Sequence, residues 1–106
     1  MIDKNLLENI AQISKNLDKI YKFENNEKIM YCSMKVSEEV WELISEVLKK
    51  MKIARKEKID KFKQEDLEWE FADVIFSTLV LAESMNIDVN KALENKMNKI
   101  KSRWGI

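Results

Sequence analysis

Residues 69–82 read WEFADVIFSTLVLA, a run that is apolar on nearly every side of a helix yet holds two carboxylates, Glu70 and Asp73. Helices that are apolar all round are typical of buried positions. Asn86 follows the run and tolerates the left-handed conformation that ends many helices. The stretch therefore predicts a buried helix over about residues 65–85, with two acids inside its apolar surface.

The rest of the chain also favours helices. The 106 residues include no proline and one glycine, Gly105, so tight β-turns are hard to build. Apolar residues recur at steps of three and four, with Val89, Leu93, Met97 and Ile100 on the expected core side of the last helix. We predict one all-α domain spanning residues 1–106, a four-helix bundle-like fold with helices over about 3–23, 27–51, 65–85 and 89–104.

Several classes of protein are excluded by composition. No histidine is present, which rules out Ser-His-Asp triads and histidine-based zinc or di-iron sites. One cysteine, Cys32, allows neither an internal disulfide nor a thiolate zinc site. The 19 basic and 19 acidic residues cancel, which argues against a nucleic acid polymer as partner. With no signal peptide and no long uncharged run, we expect a cytoplasmic protein without a membrane segment.

Two acidic pairs dominate the candidate chemistry. Glu39-x-x-Glu42 lies on the second predicted helix, where Glu46 continues the same side, and Glu70-x-x-Asp73 lies on the third. An i,i+3 spacing puts each pair on one helix face, so antiparallel packing would bring four carboxylates together. Such a group needs compensation, and all-oxygen ligation selects Mg²⁺ or Mn²⁺.

Purely structural interpretations of these charged residues also stay open at this point. Glu39 and Glu42 could form a solvated helix face, and Glu70 and Asp73 could make salt bridges to lysines or Arg103. Residues 49–63 hold eight basic and two acidic residues. That segment is either a solvated helix end with a loop or a basic rim that attracts polyphosphate.

The sequence around the two acidic pairs resembles that of a known protein family. The segments Glu38-Glu39-Val40-Trp41-Glu42-Leu43 and Glu70-Phe71-Ala72-Asp73-Val74 resemble the ExxE and ExxD motifs of the MazG-like, all-α nucleoside triphosphate pyrophosphohydrolases. Ile87-Asp88 and the ending with Lys96, Lys99 and Arg103-Trp104 are similar to the family's last helix. Trp41 stands where the family usually has a small residue, often glycine.

The resemblance implies Mg²⁺-dependent cleavage of a nucleoside triphosphate to its monophosphate and pyrophosphate. It implies a role in removing non-standard or surplus nucleotides, and a homodimer or homotetramer. It also implies roles for individual residues. These are the metal ligands Glu39, Glu42, Glu70 and Asp73, the candidate general base Glu38, the phosphate-binding Lys96, Lys99, Arg103 and Lys35, and a base contact at Phe23.

Two alternatives come from other classes of protein. One is a helical interaction module whose acidic pairs only make salt bridges. The other is a non-catalytic relative that binds nucleotides as a sensor. An oligomer is expected on physical grounds as well, because the third helix is apolar on more faces than three neighbouring helices would cover.

Overall fold

The fold is entirely helical in the computed structural model, which describes all 106 residues. The all-α prediction is confirmed, and the four expected helices lie within about two residues of their predicted ends. A fifth, one-turn helix was not predicted. The elements are α1 (Lys4–Tyr21), α2 (Glu27–Lys50), α3 (Lys56–Ile59), α4 (Gln64–Ser84) and α5 (Val89–Trp104). None of these helices has the length and apolar content that crossing a bilayer requires.

The boundary between α4 and α5 forms as its residue types predict. Asn86 is left-handed at φ 56°, and the Asp88 side chain accepts a hydrogen bond from the backbone N–H of Lys91. This cap satisfies one of the free N–H groups at the start of α5. The chain therefore passes from one long helix to the next without a glycine or a proline.

The basic segment 49–63 comprises the end of α2, a loop and α3. Its charged side chains are exposed to solvent, except that of Lys49, which is half-buried. The short helix was missed because its four residues are too few to show a helical period. The segment is solvated, as the simpler interpretation holds, and its capacity to attract phosphate stays a prediction.

The core lies where α1 and α2 pack on α4. Ile10 and Cys32 are 1% and 2% exposed and contact Leu79 and Val80. Lys28 links α2 to α1. Its ammonium donates a hydrogen bond to the Ser14 hydroxyl at 2.6 Å and forms an ion pair with Asp18. These contacts fix the rotation of α2, and hence the direction that its acidic stripe faces.

Two expectations about burial are wrong for a single chain. The apolar α4 fully buries only Leu67, Leu79 and Val80. Four of its largest apolar side chains, Trp69, Phe71, Ile75 and Phe76, are exposed. Every residue of α5 from Lys91 onward is exposed, including Leu93, Met97 and Ile100. One chain therefore forms a three-helix core with α5 projecting from it, not a closed four-helix bundle, because α4 has only two long neighbours.

Candidate metal centre

The acidic residues are brought together by the antiparallel crossing of α2 and α4. Near one end of the crossing, Cys32 packs against Val80, and one turn further along Lys35 and Ser77 line a common cavity. Continuing in the same register, Glu39 lies beside Asp73 and Glu70. The carboxylates of the two motifs therefore meet across one helix–helix interface.

Three carboxylates form a compact group. Glu39, Glu70 and Asp73 each offer an oxygen, and these three oxygens all lie within 4.8 Å of one another. The Oε2 atoms of Glu39 and Glu70 are buried and have no hydrogen-bond partner. A buried carboxylate oxygen without a partner is costly, and a hard cation bound by oxygen ligands removes that cost. The donor set fits Mg²⁺ or Mn²⁺.

Glu42 lies at the edge of this group. Its side chain is exposed and offers no oxygen within the 4.8 Å cluster, in contrast to the other three proposed ligands. Its charge is nonetheless close enough to raise the pKa of both Glu39 and Glu70. The structure thus brings three of the four sequence-selected acids together and places the fourth next to them.

The negative charges of these carboxylates lie close enough together to change one another's pKa values. Burial is the main cause that raises the pKa of Glu39, followed by the charges of Glu42 and Asp73. The pKa of Glu70 is raised by the same three causes in the same order. Neither Glu70 nor Asp73 makes an ion pair, and Arg103 makes none either. The salt-bridge interpretation of the third-helix pair therefore finds no support in the structure.

Lys35 and Glu38 lie beside the carboxylate group. The Lys35 ammonium is 3.2 Å from Glu38 Oε2 and 3.7 Å from Glu39 Oε1. Its hydrogen bond to Glu38 raises the pKa of Lys35. Glu38 is exposed, so its carboxylate is accessible to water. One proposed base and one proposed phosphate ligand thus flank the cluster on the α2 side.

A cavity of about 160 Å³ adjoins the cluster between α1, α2 and α4. Lys35 connects the two, since it lines the cavity and also contacts Glu39. The sequence did not reveal the cavity, because its walls come from three separate helices. The lining residues are Leu17, Tyr31, Cys32, Lys35, Ser77 and Val80.

The proposed base contact, Phe23, lies away from the carboxylates. Its ring stacks on Tyr21 at 5.4 Å between centroids and lies 5.5 Å from Tyr31. These three rings border a shallow groove beyond the C-terminal end of α1. Tyr31 lines both this groove and the cavity next to the cluster, so Phe23 is linked to the site through one shared aromatic residue.

The basic residues of α5 are not brought to the carboxylates within one chain. Lys96, Lys99 and Arg103 are exposed on the projecting helix and make no ion pair with the acidic cluster. They are absent from the site because α5 packs on the core only at its start, around Val89 and the Asn90–Ile2 hydrogen bonds.

Glu46, on the acidic side of α2, is a residue of this region that neither acidic motif includes. Its Oε2 atom is also buried without a partner, and its charge is one of those that raise the pKa of Glu70. Glu46 follows Glu39 by seven residues, or two helical turns, and this spacing alone indicates that both side chains lie on the same side of α2.

Comparison with known proteins gives one family. A model of the MazG nucleotide pyrophosphohydrolase domain matches residues 27–104, which is well over half of the chain. The matched range includes every acid described above and helices α2 to α5, and it leaves out α1. No significant match to a curated protein or to a solved structure was found.

Proposed function

Since the chain belongs to the MazG nucleotide pyrophosphohydrolase domain family, we propose that it hydrolyses nucleoside triphosphates to monophosphates and pyrophosphate. Its role would be to remove non-standard or surplus nucleotides. The observation that carries the proposal is the meeting of Glu39, Glu70 and Asp73, with two buried carboxylate oxygens lacking partners. These are residues of the two motifs that the family resemblance picks out.

The metal in this proposal is Mg²⁺, which Mn²⁺ can replace. Glu39, Glu70 and Asp73 would hold it, with Glu42 at the edge of the site. A divalent ion bound there supplies neutralising charge for phosphate oxygens and lowers the pKa of water bound to it. MazG proteins generally use a divalent metal, in agreement with this donor set.

The neighbouring residues suit the remaining tasks. Glu38 is exposed and close to the cluster, so it would accept the proton of the attacking water. The Lys35 ammonium lies between the carboxylates and the cavity and would bind the phosphate nearest the nucleoside. The cavity and the aromatic groove with Phe23 would then receive the nucleoside part.

We also propose that the active form is a homodimer or homotetramer. The chain exposes 8431 Å², whereas a compact protein of 12.6 kDa exposes about 6,200 Å². The excess of about 2,200 Å² is similar to what a protomer buries in an obligate oligomer. A second copy covering the apolar sides of α4 and α5 would account for it and would position Lys96, Lys99 and Arg103 for phosphate binding.

The test is pyrophosphate release from a panel of canonical and modified nucleoside triphosphates in Mg²⁺. The Asp73→Asn variant should lose at least about a hundredfold in rate, because a charged ligand of the reacting complex is removed. Asp60→Asn is the matched control, since Asp60 is exposed and has no ion pair. Nucleotide binding without release would instead indicate the sensor, and neither binding nor release would indicate the interaction module.

A further inference from the structure

The basic segment 49–63, between α2 and α4, is the strongest concentration of positive charge in the chain. Its net charge is six positive, and the rest of the chain carries six negative charges. We propose that its lysines bind the far end of a phosphate chain and make the protein favour nucleotides with longer chains. This inference rests on the proposed function for the place of the nucleoside, whereas binding of a phosphate chain does not require hydrolysis.

Most of the cations in this segment have no acidic partner. Two of the eight are in ion pairs, Lys49 with Glu46 and Arg55 with Glu57. The other six are exposed and make no ion pair, and we call them the lysine platform: Lys50, Lys52, Lys56, Lys58, Lys61 and Lys63. Like charges this close in sequence repel one another, and an anion with several charges relieves that repulsion.

The segment has a defined structure against the end of α2. Phe62 is half-buried, and the Lys50 ammonium lies 5.6 Å from the centre of its ring, which joins the two ends of the segment. Between them, α3 contacts α2, and the Asp60 N–H donates a hydrogen bond to the Lys56 carbonyl at 2.9 Å. The lysines of the platform therefore project from a folded backbone.

The position of the segment relative to the carboxylates follows from both long helices. Along α2 the order is Lys35 in the cavity, Glu39 in the carboxylate group, and then the segment. Along α4 the order is reversed, from the segment to Glu70 and then to Ser77 in the cavity. Because the two helices are antiparallel, the cavity, the carboxylates and the segment lie in a row along one interface.

This row gives the bound nucleotide a direction. With the nucleoside in the cavity and the reacting phosphate at the carboxylates, the rest of the phosphate chain points toward the platform. Glu70 follows Lys63 by seven residues, which is about 10 Å along α4. That separation is close to the Debye length of about 8 Å at physiological salt, so the lysines attract the end of the chain. A chain with two further phosphates reaches closer to them than a chain with one.

A short phosphate chain suits this surface better than a nucleic acid polymer. The carboxylates next to the platform repel any polyanion that continues past it. Lysine ammonium groups are also common phosphate ligands, because each acts as a compact positive charge.

The first experiment is isothermal titration calorimetry of the full chain in chelator, with inorganic tripolyphosphate and pyrophosphate as probes. Wild type should bind tripolyphosphate more tightly than pyrophosphate. The test variant replaces three exposed lysines of the platform and should bind tripolyphosphate about tenfold more weakly, since three exposed charge contacts are lost. Its substitutions are Lys56→Gln, Lys58→Gln and Lys61→Gln.

The matched control makes the same change in net charge on α1. It replaces three exposed lysines that make no ion pair, and it should bind both probes as wild type does. Its substitutions are Lys4→Gln, Lys15→Gln and Lys19→Gln. Circular dichroism of both variants verifies that the helices are retained.

The second experiment compares a nucleoside triphosphate with the corresponding diphosphate in Mg²⁺. The ratio of their kcat/KM values should fall by about tenfold in the test variant and stay unchanged in the control. Only the triphosphate extends far enough to lose contacts with the platform.

The outcomes separate this inference from the proposed function. Unchanged tripolyphosphate binding in the test variant, or an equal loss in the control, would overturn the phosphate site. Tighter binding of single-stranded RNA than of tripolyphosphate, lost in the test variant, would overturn it in favour of a nucleic acid surface. An unchanged kcat/KM ratio would overturn the selection by chain length. Loss of tripolyphosphate binding in the test variant alone, with no hydrolysis of any nucleotide by wild type, would support the phosphate site and contradict the proposed function.

Discussion

At the scale of single residues, the site is defined by carboxylate oxygens that the fold buries without partners. Glu39 and Glu70 each keep one such oxygen, and the acids beside them add like charges. Buried groups of this kind destabilise a protein unless something binds them. We therefore expect the metal-free fold to be less stable than a fold with amides at these positions, and a bound cation would relieve that cost.

The raised pKa values of Glu39 and Glu70 predict how stability depends on pH. In the folded state both pKa values lie above the ordinary 4.5, so at intermediate pH the folded chain holds more protons than the unfolded chain. Stability without metal should therefore rise as pH falls through the raised pKa values toward 4.5, by up to about 1.4 kcal/mol per pH unit for each proton taken up.

Urea denaturation in a chelator, across this pH range, measures that dependence. The double variant Glu39→Gln, Glu70→Gln is the comparison, because it lacks both titrating groups and keeps the other carboxylates. The difference in slope between the two proteins isolates these groups. Parallel curves for wild type and variant would contradict the electrostatic description of the cluster.

A single substitution at Glu70 should separate stability from metal binding. Glu70→Gln removes one crowded charge, so the metal-free melting temperature should increase. The same change should abolish the stabilisation by Mg²⁺, which for wild type reaches about 2.7 kcal/mol at a hundredfold excess over Kd. Thermal melts with and without Mg²⁺ provide both numbers, and Glu68→Gln is the exposed control on α4. An undiminished Mg²⁺ effect in Glu70→Gln would remove this residue from the site.

At the scale of helices, features that depend on neighbouring residues could be predicted from the sequence, and features that depend on helix packing could not. The stop at Asn86 and the cap at Asp88 are decided by neighbouring backbone atoms, so residue types alone identified them. The acidic pairs were found because i,i+3 spacing fixes a shared helix face. Three other features depend on how α1, α2 and α4 rotate against each other, which no single helix reveals. They are the cavity, the position of Glu42 at the edge of the cluster, and the buried Glu46 oxygen that has no hydrogen-bond partner.

The helix that differs most from expectation is α5. Its periodic residues Leu93, Met97 and Ile100 predicted a core face, but periodicity does not say whether the covering surface belongs to the same chain. In one chain that face is exposed. The pattern and the structure agree if the face is covered by another copy.

The basic side of α5 yields a kinetic prediction. Lys99→Met should raise KM for a nucleoside triphosphate and lower kcat/KM by about tenfold, since one charge-assisted phosphate contact is lost. Lys101→Met is the matched control two residues away, which points to another side of the same helix. Steady-state kinetics measure both variants. Equal kinetics for wild type, Lys99→Met and Lys101→Met would contradict a phosphate-binding role for this residue.

At the scale of the whole molecule, a single chain is more open than a compact domain of the same length. Its radius of gyration is 16.9 Å, whereas a compact domain of this length has about 13 Å. Only six of the 106 residues are buried, so the hydrophobic stabilisation available to one chain is small. Association would supply the missing buried area.

Sedimentation equilibrium at micromolar concentration tests this directly. We expect the mass of a dimer or tetramer, because the exposed apolar sides of α4 and α5 become covered. Ile75→Glu places a charge on the apolar side of α4, where the wild-type residue is 55% exposed, and should shift the mass toward the monomer. Thr78→Glu, also exposed on α4, is the comparison at a polar position. A monomeric wild-type protein would rule out the oligomer.

We propose that this carboxylate centre serves cleavage between the first and second phosphates of a nucleoside triphosphate. The most direct measurement is the product balance of the wild-type protein with Mg²⁺, quantified by phosphorus NMR. We expect nucleoside monophosphate and pyrophosphate in equal amounts, and no products in chelator. Nucleoside diphosphate with inorganic phosphate, or an unchanged triphosphate in every nucleotide tested, would contradict it.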